Sequence, residues 1–369
     1  MSWEITSLDL HYLVKELSVL ENARVEKIFQ SDSNKRDFLF IFHKSKTGKF
    51  LLRIMLPSML FFAKQKPDFP AQPPGYCMFL RKHLTDARIT KIEQHTFERI
   101  LEFTFSSKEQ EYALIIELFS TGNIILCNSD HKIISPLENQ NWKDRTIRGG
   151  IKYEYPPKKT NTKEVSFDEF YELLTSAKKS AVKTLATAFS LGGAYAEELC
   201  FISGIDKKSE KLNRQDAEAL FKNLKLLFEK NEKAAAIEQS AFPFSLKTAG
   251  QEKKAEEFNT FSEALQHISC FYEESKADSP QQVVNEKKQD IAKNQEAKIR
   301  EFEIRATECQ RAGELLYEHY SEVDSILSRI QELKKKKSWN EIKEELKKNP
   351  LFNSLDEKAM ELVLDIEEK

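Results

Sequence analysis

Residues 73–105, PPGYCMFLRKHLTDARITKIEQHTFERILEFTF, with residues 112–126, YALIIELFSTGNIIL, decide the reading of this chain. Pro-Pro-Gly before Tyr76 is a stop signal, and Met78, Phe79, Leu80 and Leu84 then recur at helical spacing around Arg81, Lys82 and His83. That pattern predicts a short helix carrying a basic patch. Ala87 to Gln94 and Arg99 to Phe105 alternate apolar and polar side chains, as two strands joined by the turn His95-Thr96-Phe97-Glu98. Tyr112 to Phe119 and Asn123 to Cys127 form a second pair around Ser120-Thr121-Gly122-Asn123, where Gly and Asn accept the positive φ of a tight hairpin.

On the N-terminal side, Thr6 or Ser7 caps a helix with Leu10, Val14 and Leu17 on one face, running to about Leu20. Asp9 sits in its first turn, where free amides and the helix dipole favour a carboxylate. Four further strands are expected at Arg24 to Gln30, Phe38 to His43, Lys49 to Met55 and Met59 to Ala63. With one more at Ile133 to Leu137, residues 1–160 read as an antiparallel β-sandwich or flattened barrel with flanking helices.

Past a polar linker the composition turns helical, and residues 165–275 read as a second domain. Ser166 with Glu169 and Asn213 with Asp216 are N-terminal capping boxes. Two helices flank Ser190-Leu191-Gly192-Gly193, the outline of a helix-hairpin-helix whose turn amides at Gly192 and Gly193 can meet a backbone phosphate. Residues 280–369 read as a long arm. Ala292, Gln295, Ile299, Phe302, Ala306, Cys309, Gly313, Leu316, Tyr320, Val323, Leu327 and Ile330 form a coiled-coil seam that requires a partner helix. Ser338 caps a helix from Trp339 to Leu346, and a further amphipathic helix is expected from Leu355 to Ile366. No return helix of comparable length follows, so a fragment of a larger architecture is expected, with self-association through the seam as one way to cover it. The fold class is therefore multidomain α+β.

The 369 residues carry 57 Lys and Arg against 59 Asp and Glu, so net charge gives no nucleic-acid signal and only local basic faces remain to be considered. Cys77, Cys127, Cys200, Cys270 and Cys309 form no paired motif, which fits reduced thiols better than disulfides or zinc. The seven histidines show no metal-ligand spacing. No phosphate loop, nucleophile elbow or long apolar run occurs, so a binding factor in the cytoplasm is expected, not an enzyme, with no cofactor, metal or membrane span.

Three groups are candidate sites. Asp9, Glu98 and Arg99 would meet at one end of the sheet if the first helix and first hairpin turn are neighbours; two carboxylates and an arginine suit a ribose or terminal base and a phosphate. Arg81, Lys82, His83 and Arg88 form a backbone-phosphate patch, and Lys143, Arg145 and Arg148 beside Trp142 form another. Ordinary surface charges or a structural ion pair are the alternative for the first group, solvation for the second, and a packing anchor for the tryptophan of the third.

At Asp9, Pro74-Gly75-Tyr76-Cys77-Met78-Phe79-Leu80-Arg81-Lys82, Glu98-Arg99, Glu117-Leu118-Phe119-Ser120-Thr121-Gly122-Asn123-Ile124, Leu191-Gly192-Gly193-Ala194-Tyr195-Ala196-Glu197-Glu198 and the Lys335 to Trp339 region, the chain resembles the NFACT family of ribosome-associated quality control factors. The family also contains proteins once named fibronectin-binding proteins, which keeps an adhesion role as an alternative. The resemblance implies an N-terminal domain related to the formamidopyrimidine DNA glycosylase fold, a helix-hairpin-helix domain and the first arm of a coiled-coil hairpin. The return helix and an RNA-binding domain would lie beyond. It implies binding to the split large ribosomal subunit holding peptidyl-tRNA, and recruitment of charged tRNA for template-free C-terminal tailing, with alanine in the prokaryotic branch. Asp9 and an Asp-Arg pair would serve tailing; Glu98-Arg99 stands in that pair's place, one methylene longer. The related glycosylases attack with an N-terminal proline amine. Met1-Ser2-Trp3-Glu4 lacks that proline, which argues against the alternative of glycosylase or lyase chemistry.

Overall fold

The computed structural model describes residues 3–108, 110–142, 144–157, 160–177, 179–248, 255–277, 303, 305–307, 309–335, 337–356 and 361–365. Two compact units divide the chain, Met1–Asp278 and Ser279–Lys369.

In the first unit, helix α1 (Ser7–Leu17) opens on a reciprocal capping box: the Asp9 amide donates to Thr6 Oγ1 at 3.2 Å and the Thr6 amide donates to the Asp9 carboxylate at 2.8 Å. Nine strands follow: β1 (Arg24–Gln30), β2 (Asp37–Lys44), β3 (Gly48–Met55), β4 (Met59–Phe62), β5 (Arg88–Gln94), β6 (Ile100–Ser106), β7 (Glu111–Glu117), β8 (Asn123–Asn128) and β9 (Ile133–Pro136). They form one antiparallel sheet in the order β4-β3-β2-β1-β5-β6-β7-β8-β9. Within each half the strands pair along most of their length, but β1 and β5 share the single rung Arg24–Arg88. Beside that rung both strands carry a bulge, between Val25 and Lys27 and between Ile89 and Lys91. The two halves fold over one shared core that includes Phe38, Phe40 and Phe42 from one and Phe103, Phe105 and Leu114 from the other.

Helix α2 (Gly75–Leu84) follows Pro74 and occupies the opening where β1 leaves β5. There the Ile28 carbonyl, which has lost its ladder partner, accepts from Arg81 Nε at 2.6 Å and from the Cys77 thiol at 3.3 Å. Cys77, Leu80 and Leu84 point into the shared core.

A second core joins α3 (Phe167–Ser176), α4 (Ala181–Thr187), α5 (Gly193–Ile202) and α6 (Arg214–Leu227) to Leu8 and Tyr12 of α1 and to Phe97 of the β5–β6 turn. Both expected capping boxes are present, at Ser166 and Asn213. A three-stranded sheet of β12 (Ala234–Ile237), β13 (Ser240–Phe242) and β14 (Glu256–Phe258) leads into α7 (Phe261–Ala277). On the outer face of the main sheet, the chain after β9 covers Ile115, Ile125 and Cys127 with Ile147 and Tyr153 and includes the short pair β10 (Gln140–Asn141) and β11 (Thr146–Ile147).

The second unit departs from expectation. Residues 309–318 are helical, His319 interrupts, and α8 (Tyr320–Lys334) continues. Seam positions Ala292, Gln295, Ile299 and Phe302 lie outside the described residues. The packed side of α8 is Ile326, Ile330 and Leu333, set against Ile342 and Leu346 of α9 (Trp339–Leu346), whereas Leu316, Tyr320 and Leu327 of the predicted seam are exposed. In place of the helix expected from Leu355 to Ile366 there is a hairpin, β15 (Phe352–Asp356) with β16 (Glu361–Leu364). Leu362 and Leu364 pack onto the α8–α9 core while Val363 faces out, so a period of two prevails over the helical period.

Candidate functional site

The N-terminus of α1, the β5–β6 turn and the α4–α5 turn meet around a cleft of ≈ 420 Å³. Its walls are Glu4 to Ser7, Glu98, Arg99, Ala186, Thr187, Ser190 and Gly192. Each element has a local reason to be there. Gln94 Nε2 donates to the carbonyls of Ser7, at 2.8 Å, and Glu98, at 2.9 Å, tying the β5–β6 turn to α1. Phe97, at the centre of that turn, is buried in the helical core beside Phe228. Its burial turns Glu98 and Arg99 toward the cleft.

Gly192 brings the α4–α5 turn to the same place. It has φ +78°, and a Cβ on it would lie 2.8 Å from Thr6 Cγ2, so only glycine allows this approach. Three residues on, the fully buried Tyr195 hydroxyl donates to Asp9. Asp9 therefore accepts from Tyr195 and from the amide and hydroxyl of Thr6, and its carboxylate is buried behind the cleft wall. Burial pushes the Asp9 carboxyl up to about 6, although each of these hydrogen bonds acts to lower it. It fastens two helix N-termini together; Glu98 and Arg99 line the cavity.

Arg99 reaches across to Glu4 at 2.9 Å and toward the Ile5 carbonyl at 3.5 Å. The N-terminus of α5 has no side-chain cap, so its first-turn amides and the positive end of its dipole are left at the Gly192 wall. An anionic group is favoured by Arg99 and the α5 amides, and hydroxyl or amino donors by Glu4 and Glu98. A nucleotide presents both.

The remaining candidates lie elsewhere. Lys82 and Arg88 are exposed, Arg81 is held by Ile28, and His83 pairs with the Phe79 carbonyl and lies tilted against the Phe79 ring. Arg145 leaves the proposed surface patch: its guanidinium grips Glu117 through both terminal nitrogens, at 2.6 and 3.1 Å, and both side chains are buried. Tyr153 completes that pair with a 2.7 Å hydrogen bond to Glu117. Arg148 and Trp142 are exposed, and Lys143 lies outside the described residues. Glu4, Ser190 and Tyr195 carried no flagged role in the sequence, because their significance comes from what stands opposite them.

The model for NFACT N-terminal and middle domains matches residues 6–360. The chain is 30% identical over 392 residues to the archaeal Rqc2 homolog aRqcH of Methanocaldococcus jannaschii, an alignment covering 99% of this chain and 58% of that protein. It is 33% identical over 211 residues to the Rqc2 homolog RqcH of Streptococcus pneumoniae, covering 52% of this chain and 37% of that one. Both relatives are thus longer than the part matched here. Among solved structures, the N-terminal part of the fibronectin/fibrinogen-binding protein from Streptococcus suis superposes with a TM-score of 0.58 at 25% identity, covering 74% of this chain and all of that one.

Proposed function

The chain belongs to the NFACT family, and from that premise we propose that it is a ribosome quality control factor that binds tRNA through the cleft between α1, the β5–β6 turn and the α4–α5 turn. The observation that carries the reading is the convergence of Arg99 and the uncapped α5 N-terminus on one cavity with Glu4 and Glu98 opposite. Phosphate and ribose hydroxyls would be met by those two sets in turn. In this reading the helix pair around Gly192 acts as a helix-hairpin-helix. Asp9 is a positioning residue, because it touches the cleft wall through Thr6 and braces α5 through Tyr195.

The names of the relatives support a place on the ribosome, and the fuller role is the one the family suggests: association in the cytoplasm with a large subunit bearing peptidyl-tRNA, and delivery of charged tRNA for C-terminal tailing, with alanine the expected residue. The chain acts as a binding factor and breaks no bond itself. Arg99→Gln removes the cation from the cleft and leaves the fold's cores untouched. Fluorescence anisotropy with labelled tRNA at about 50 mM salt should show an affinity loss of about tenfold or more at unchanged thermal stability. Equal affinity in the variant and the parent would sink this reading.

A further inference from the structure

We propose a second RNA contact, separate from the cleft, formed by Lys27, Lys66 and Arg81 around the ring of Phe29 and suited to a phosphodiester group. The proposal rests on the tRNA-binding reading above and adds a surface to it.

The bulge between Val25 and Lys27 puts Val25 and Ile28 in the core and leaves Lys27 outside it. Phe29 is stacked against Phe69 from the segment that precedes α2, with ring centroids 5.9 Å apart. Three cations gather over the Phe29 ring: Lys66 Nζ at 4.1 Å, Lys27 Nζ at 5.2 Å and the Arg81 guanidinium carbon at 5.2 Å from its centroid. Each comes from a different part of the chain: a bulged strand, the loop before α2, and α2 itself. Arg81 is held in place through Nε on the Ile28 carbonyl, with its guanidinium carbon 5.2 Å from the ring centroid.

A covering of Phe29 needs one such side chain, whose methylenes would shield the ring. Three like charges repel one another, and among the described residues none of the three has a carboxylate partner. The contrast on the same half-sheet is direct. Glu26, next to Lys27 in the strand, pairs with Lys49; Arg53 pairs with Asp37 and Arg36 with Glu138. In a chain with slightly more acids than bases, three cations meeting at one ring without a carboxylate partner among the described residues form an exception that a polyanion would resolve. Ammonium groups supply point charges and the guanidinium a planar fork, the combination that grips a phosphate without reading a base.

The test uses the full chain, labelled tRNA and a salt series, with Lys27→Gln/Lys66→Gln as the variant; both side chains are exposed, and Arg81 keeps its structural bond. Loss of two phosphate contacts predicts about a tenfold weaker affinity near 100 mM salt and a log–log salt slope shallower by about 1 to 2, with unchanged thermal stability. A double variant that matches the parent in affinity and slope, while Arg99→Gln loses binding, overturns this site and leaves the cleft reading intact. If instead Arg99→Gln binds normally and the double variant does not, the cleft reading fails and this site stands. Binding to phosphatidylserine vesicles or to a polyglutamate peptide, lost in the double variant while tRNA binding persists, would overturn RNA as the ligand.

Discussion

Two buried carboxylates, Asp9 behind the cleft and Glu117 on β7, receive opposite treatment. Glu117 faces a guanidinium and a phenol, and Arg145 closes on it with two hydrogen bonds. Asp9 has only neutral donors, two from Thr6 and one from Tyr195, and no cation pairs with it among the described residues. The first arrangement fixes the segment that covers the outer face of the sheet. The second leaves a group that gains or loses its proton in mildly acidic solution, at the point where the sheet and the helices are fastened together. Burial, outweighing the neutral donors, is what holds the proton on Asp9.

Breaking the Glu117 pair should give the largest effect. Arg145→Met strands a buried carboxylate, and chemical denaturation should show a loss of about 3–5 kcal/mol, partly restored by adding Glu117→Gln. A loss below about 1 kcal/mol would mean that Glu117 finds other partners and that the contrast with Asp9 is false.

For Asp9 the sign follows from its raised carboxyl. The folded state holds the proton up to about 6 and the unfolded state releases it near 3.8. The stability it contributes is fully present below 3.8 and is lost as pH rises through 6. His11, two residues on, works against it. Burial, with Lys15 and Lys163 nearby, lowers its imidazole to about 4, so its contribution is present above 6.5 and lost as pH falls through 4. The parent profile mixes the two slopes, and the Asp9→Asn variant isolates one. The stability difference, parent minus variant, should fall by about 2 kcal/mol between pH 4 and pH 7. A difference that stays flat over that window would mean that burial does not hold the Asp9 proton.

The smallest effect is expected at the cleft mouth. Glu4 and Arg99 are partly exposed, so their bond contributes little to stability. The Glu4 carboxylate is also one of the acceptors offered to the ligand's hydroxyls. Glu4→Gln should therefore lower tRNA affinity about two- to fivefold at low salt. Tighter binding would instead mean that Glu4 serves only to hold Arg99 away from a phosphate.

Features with short-range causes were legible in the sequence. The capping boxes at Ser166 and Asn213, the positive φ at Gly122 and the strand from Arg24 to Gln30 depend on residues within a few positions of one another. The pairing of Glu98 with Arg99 at a sheet end was also visible, because a turn between alternating runs exposes what it carries. What was hidden depends on the opposite wall. An acidic residue in a first helical turn looks the same whether water or Tyr195 lies beyond it. Arg145 in a polar loop gives no sign that Glu117 waits beneath. The hairpin after Phe352 was missed because a few leucines satisfy either period until the surface they must cover is known.

The single rung between β1 and β5 has a consequence for how the chain assembles. Each half of the sheet is a meander whose pairings join near neighbours in sequence, while the Arg24–Arg88 rung closes a loop spanning β2 to α2. Loop closure of that length is paid late, so each meander should acquire its pairings before the rung forms. Helix α2, seated by the Ile28 carbonyl, would then act as the clasp. In hydrogen-exchange pulse labelling, amides of β2–β3 and β6–β7 should gain protection ahead of those that bridge Ala23 and Ile89.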